Sequence, residues 1–169
     1  MFLLRAVQVS YSGNGFYLQI GDKMGSLVEA VKDANKRPAI IQECTQMIEG
    51  EVSDKRGMTG MAVKAAFKMI KKFKPTIIPS ALEDLIDDFA VKVDPFWQEC
   101  QQAGESSESF FVRRKVDVAN ALLQITDGKA ERSPNKILVK AYSSLRGKAV
   151  EHIGAAMPRF SKIVEKHAS

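Results

Sequence analysis

Apolar residues recur at three- and four-residue spacing along most of this chain, the period of a helix with one buried face. Leu27, Val28 and Val31 mark a short first helix. Pro38 opens a second at its first turn, where a missing N–H costs least. Ile40, Ile41, Cys44, Met47, Ile48 and Val52 carry its core face. Gly57 separates it from RGMTGMAVKAAFKMIKKFKP over 56–75, a helix that Thr59 or Gly60 caps and Pro75 ends. Pro75 and Pro79 bracket a short apolar connection, Thr76-Ile77-Ile78. Ser80 and Glu83 form a capping-box pattern for the next helix, with Leu82, Leu85, Ile86, Phe89 and Val93 as its core. Asp94-Pro95 then starts a short helix carrying Phe96, Trp97 and Cys100, and Gly104 ends it.

GESSES, residues 104 to 109, reads as the clearest loop. A helix from about Phe110 to Thr126 follows; its purely polar side is only Arg113, Asp117, Asn120 and Gln124, so it belongs near the centre of the bundle. Asp127-Gly128 ends or kinks it. Ser133-Pro134 caps a helix with Ile137, Leu138, Ala141, Tyr142 and Leu145, and Gly147 breaks that pattern. Ala149, Val150 and Ile153 continue it, and Pro158 starts a last helix with Phe160, Ile163 and Val164.

Residues 1–23 differ in style. AVQVSY and FYLQI flank SGNG, with Val7, Val9 and Tyr11 alternating, the pattern of a β-hairpin about a glycine-containing turn. Two readings stand: an N-terminal extension folded as a hairpin, or a non-native start preceding a natural Met24. In both, 24–169 is a single helical domain. The fold class is all-α, one bundle of about six to eight short helices.

Charge singles out the helix over 56–75. At 100° per residue, Lys64, Lys68, Lys71 and Lys72 share an arc of roughly 100°. Met58, Ala62, Val63, Ala65, Ala66, Phe67, Met69, Ile70 and Phe73 cover roughly 200° of the other side. So wide an apolar arc predicts a core helix packed on two or three neighbours, with a solvated lysine face. The sharper reading makes the four lysines a binding face for an anionic surface or an acidic partner. Glu83, Asp84, Asp87 and Asp88 form an acidic face on the next helix, opposite Leu82, Leu85, Ile86 and Phe89. It is a solvated face, an answer to the lysine stripe within the chain or across a dimer, or, weakest, a divalent-cation site, since no EF-hand loop and no histidine accompanies it.

The bulk numbers narrow the field. With 169 residues, 45% hydrophobic and 27% charged, one domain with a real core is expected. A net charge of +5 and a pI near 9.2 are mildly basic, short of a dedicated DNA binder. Cys44 and Cys100 stand alone in apolar patterns, which predicts buried free thiols in a reducing compartment. No run approaches the ~18 apolar residues of a membrane span, and Arg5 interrupts MFLLRAVQV, which lacks a signal-peptide core. These features predict a soluble, cytoplasmic protein.

Candidate chemistry is sparse. Arg114 and Lys115 edge the apolar arc of the central helix and are expected to snorkel; a buried Arg114 would take a carboxylate partner. His152 and His167 have no second ligand at metal spacing, and His167, near the C-terminus, is expected to be exposed. GMTGMAVK has two glycines but lacks the ending of a P-loop. No catalytic residue, metal or cofactor is assigned, and the reading leans away from an enzyme; a deep polar pocket at Arg114, Asp117 or His152 would reverse that. In KKFKPTIIPS, the pair Ile77-Ile78 either closes a helical hairpin, which is preferred, or forms a membrane-inserting tip.

RGMTGMAVKAAFKMIKKFKP, VDPFWQE, VDVANALLQITDGKAERS, KAYSSLRGKAVEH and PRFSKIVEKHA together resemble an uncharacterised family of small bacterial helical proteins, carried as a domain of unknown function. The resemblance spans about Leu27 to Ala168 and implies a helical intracellular protein; it carries over no reaction, ligand or site residue. The leading expectation is an interaction or scaffolding protein with an unknown partner or a second copy of itself. A peripheral binder of anionic membrane comes next, and nucleic acid after that.

Overall fold

The apolar stripes become helices α1 (Leu27–Lys32), α2 (Arg37–Asp54), α3 (Gly57–Phe73), α4 (Ile77–Ala103), α5 (Ser107–Arg113), α6 (Lys115–Arg132), α7 (Lys136–Arg146) and α8 (Ala149–Ala168). The structure, a computed structural model, describes residues 25–169. There is no strand among the described residues, and the fold is all-α. The candidate hairpin of 1–23 lies outside the described residues.

α4 is longer than the sequence pattern suggests. It begins at Ile77, ahead of the Ser80–Glu83 capping pattern, and runs unbroken through Pro95 to Ala103. An interior proline costs a helix about 3 kcal/mol. Leu82, Ile86, Ala90, Val93, Trp97 and Cys100 form one buried stripe that stays in phase across Pro95, and burying a large apolar side chain is worth about 1.5–3 kcal/mol each. The stripe therefore outweighs the proline. The same logic carries α8 through Pro158, with Met157, Ser161, Val164 and Ala168 buried on both sides of it. Conversely, the helix expected over 110–126 is two: α5 starts within the supposed GESSES loop, N-capped by Ser106, and Arg114 separates it from α6, which continues past Asp127-Gly128 to Arg132.

The core cluster draws on α1, α2, α4, α5, α6 and α8. Phe110, Phe111 and Val118 are fully enclosed, which places the α5–α6 segment at the centre as its narrow polar arc predicts; Val112 and Val116, however, face outward. Phe111 meets Phe110 and Phe160 edge to face, with ring centroids 5.7 and 5.6 Å apart. Polar groups pin α1 and the C-terminus to the middle of α4. Asp94 accepts from Leu27 N at 2.6 Å and Ser26 Oγ at 3.0 Å. Trp97 Nε1 donates to the carbonyls of Gly25 and Ala168. His167 is buried rather than exposed, because α8 runs to Ala168 and lays its last turn under α1; its Nε2 lies 3.2 Å from Glu43 Oε2, without hydrogen-bond alignment.

α3 and α7 stand outside this core. Neither contributes a residue to the cluster, and α3 packs mainly on α7. Gly57, at φ +72°, turns the chain out of α2, a conformation that only glycine takes freely. Gly60 permits the crossing, since a Cβ there would lie 2.8 Å from the Lys55 carbonyl carbon.

Candidate functional site

α3 buries only Gly60, Val63 and Ala66, the small side of the helix. The broad apolar arc of the sequence splits: Val63, Ala66, Phe67 and Ile70 face neighbours, while Met58 (83% exposed), Met61 (65%), Phe73 (52%) and Met69 face outward. The expectation of a fully packed core helix is corrected to that extent. The reason is the lack of neighbours: α7 covers one side, and only a few residues of α2 and α4 reach the helix. On the helical wheel the outward side spans about 180°, with Lys64, Lys68 and Lys72 toward one border, Met61 between Lys68 and Lys72, and Met58, Met69, Ala62, Ala65 and Phe73 beyond them.

The four lysines are not equivalent. Lys71 Nζ donates to Glu49 Oε1 at 2.7 Å and lies over the Phe67 ring, so α2 already claims its charge. Lys68 and Lys72 are exposed and make no ion pair among the described residues; Lys64, also exposed, feels only the distant charge of Asp54. α7 adds Lys136 and Lys140, while its Arg146 is held by Asp127 of α6 at 2.7 Å. Neither α3 nor α7 contains an acidic residue, although the chain has 20 against 25 basic ones. The outer layer therefore concentrates positive charge that the bulk composition hides.

The acidic face does not answer the lysine stripe within the chain. Arg37 reaches Glu83 at 2.8 Å and Asp87 at 3.1 Å, and Lys129 lies 3.9 Å from Asp88. Asp84 alone of the four has no ion-pair partner among the described residues. No group of three metal-ligand side chains forms there or elsewhere among them. Ile77 opens α4, and Ile78 packs against the core cluster, so the pair closes a turn between helices. Arg114 is half-buried over the Phe96 and Phe110 rings and pairs with Glu99 at 2.5 Å and Asp117 at 2.8 Å. Glu99 and Asp117 are both exposed, so these three make an ion-pair cluster at the surface.

Sequence reasoning missed a cavity of about 290 Å³ bounded by α2, α3, α4, α6 and α8. Ile48, Phe89, Leu122, Ile153 and Met157 supply its apolar walls, and α3 contributes Val63 alone. Its few polar groups are Glu51, Lys55, Thr126 and His152. Burial and the charge of Lys55 hold the His152 imidazole below its ordinary pKa, so it is neutral near pH 7. Cys44 also lines the space; burial pushes its thiol up to about 12, which keeps it protonated and unreactive. No periodicity announces such a space, because each lining residue reads as ordinary core.

Both cysteines are buried and free. No described helix is long and apolar enough to cross a membrane. A family model spans residues 27–168, from the first residue of α1 to the last of α8. The chain belongs to that family, DUF6918, a family of unknown function. No curated protein matches the chain, and no solved structure does.

Proposed function

We propose that the protein works by binding, and that its docking surface is the outward face of α3, seated on an anionic membrane. The observation that carries this reading is the pairing of exposed Met58, Met61, Met69 and Phe73 with unpaired Lys68 and Lys72 on one helix face. Each lysine near an anionic leaflet is worth about 1 kcal/mol, so Lys64, Lys68 and Lys72 alone give millimolar-scale attachment at best. Shallow insertion of the methionines and Phe73 supplies the rest.

This ordering differs from a scaffold that self-associates through complementary charged faces. Glu83, Asp87 and Asp88 already face Arg37 and Lys129, which leaves Asp84 alone of the acidic row for a second copy's lysines. A phosphate backbone would satisfy the lysines but leave the apolar strip in water, which ranks nucleic acid below a bilayer.

The test is co-sedimentation with vesicles containing or lacking phosphatidylserine. Pelleting with anionic vesicles only, lost in a Lys64/Lys68/Lys72→Ala variant, is the expected result. A Met61→Ser, Phe73→Ser variant should still pellet at low salt and fail at physiological salt, where screening weakens the charge term. Pelleting that ignores lipid charge, or none under any condition, would remove the membrane reading and direct the search to a protein partner.

A further inference from the structure

We infer that the cavity between α3 and the core is a binding site for a small aliphatic carboxylate, with the chain against Ile48, Phe89, Leu122 and Met157 and the carboxylate at Lys55 and His152. The inference stands apart from the membrane reading, since it uses the inner side of α3 and none of the exposed lysines.

Size and lining come first. Ligand sites are concave and mostly apolar, with a few polar groups that fix orientation, and range from about 300 Å³ upward. At about 290 Å³ this cavity sits at the lower edge of that range. At about 30 Å³ per water-sized group it holds roughly ten, the bulk of a chain of about eight to ten carbons. A mostly apolar lining of this kind accepts apolar guests.

The polar groups determine the ligand's end. The Glu51 carboxylate faces two cations, Lys55 at 3.3 Å and Arg159 at 2.9 Å, and Arg159 also reaches Asp54 at 2.5 Å. Arg159 alone can hold Glu51, which leaves the Lys55 ammonium able to turn to an incoming carboxylate. Lys55 is the C-cap residue just past α2, so its side chain moves without disturbing a helix. The His152 imidazole makes no hydrogen bond within the described residues, and its one N–H is available as a second donor. A carboxylate accepts from both with its charge opposite the ammonium; an alcohol of equal length can accept from the same donors but brings no charge.

Titration calorimetry with decanoate and decanol, both below their aggregation limits, tests this on the full chain. Decanoate should bind one to one, and decanol at least tenfold more weakly. Lys55→Met should cost decanoate about tenfold and decanol much less. Ala156→Leu fills the cavity from α8; Val63→Leu, from the α3 side, guards against a strained first variant. Either filled form should raise the thermal midpoint of the unliganded protein and abolish binding of both ligands. The Lys64/Lys68/Lys72→Ala variant should bind decanoate normally, which separates this site from vesicle attachment. Equal affinity for decanol would overturn the carboxylate assignment. No binding of either ligand, or binding that survives in both filled and folded variants, would overturn the site.

Discussion

α4 and α3 are neighbours with similar amphipathic patterns and opposite fates. α4 buries its large residues, Leu82, Ile86, Val93 and Trp97, on one continuous stripe between several helices. α3 buries glycine, valine and alanine and turns its methionines and Phe73 outward. An apolar arc thus becomes core only where other helices reach it. Where they do not, the same arc leaves an exposed strip on one side, and on the other only Val63 reaches the cavity among α2, α4, α6 and α8.

The largest effect that can break this comparison is a pair of phenylalanine truncations. Phe111 is fully enclosed among Phe110 and Phe160, and its removal leaves a void that rigid helices cannot close. Phe111→Ala should cost about 3–5 kcal/mol in urea unfolding. Phe73→Ala, on the outer strip, should fall within about 0.5 kcal/mol of the native protein. Equal costs would show that Phe73 is packed and that α3 belongs to the core.

The same contrast explains what sequence could and could not provide. Helical spacing gave the all-α class and most core residues of α2, α4 and α8, because each has neighbours on its apolar side. It misplaced breaks at Pro95 and Pro158, since a local rule for proline carries no information about a stripe buried on both sides of it. It missed the break at Arg114, whose tie to Glu99 on α4 exists only once helices have assembled. It found the lysine stripe of α3 but could not tell that Glu49 occupies Lys71, or that Met61 and Phe73 lie in solvent. Side-chain partners 22 residues apart, such as Lys71 and Glu49, are set by packing and not by periodicity.

An intermediate effect concerns how α7 is held to α6. Asp127 accepts from Arg146 Nε at 2.7 Å, Arg146 Nη2 at 2.9 Å and the Tyr142 hydroxyl at 2.5 Å. Arg146, and then Tyr142, lower the Asp127 pKa. A carboxylate depressed in the folded state adds stability that is present above its ordinary range and lost as pH falls through the folded value. Asp127→Asn should therefore cost about 1 kcal/mol at neutral pH and less in acid. Hydrogen exchange should accelerate across α7 and α3, with α4 and α8 protected as before. Uniform acceleration would mean that the outer layer and the core unfold as one unit.

The smallest effect lies at the seam between the two regions, at His152. Burial first, and the Lys55 charge second, lower its pKa in the folded protein. Below about pH 6.5 the unfolded chain takes up a proton that the folded chain refuses. Proton binding then favours the unfolded state, and stability falls as pH drops through that value, until the folded imidazole also protonates. The drop between pH 7.5 and 5.5 should be smaller in His152→Gln than in the native protein. In Lys55→Met it should shrink only in part, because burial, the larger cause, remains. Should His152→Gln keep the full pH dependence, the imidazole would not be the group that carries it.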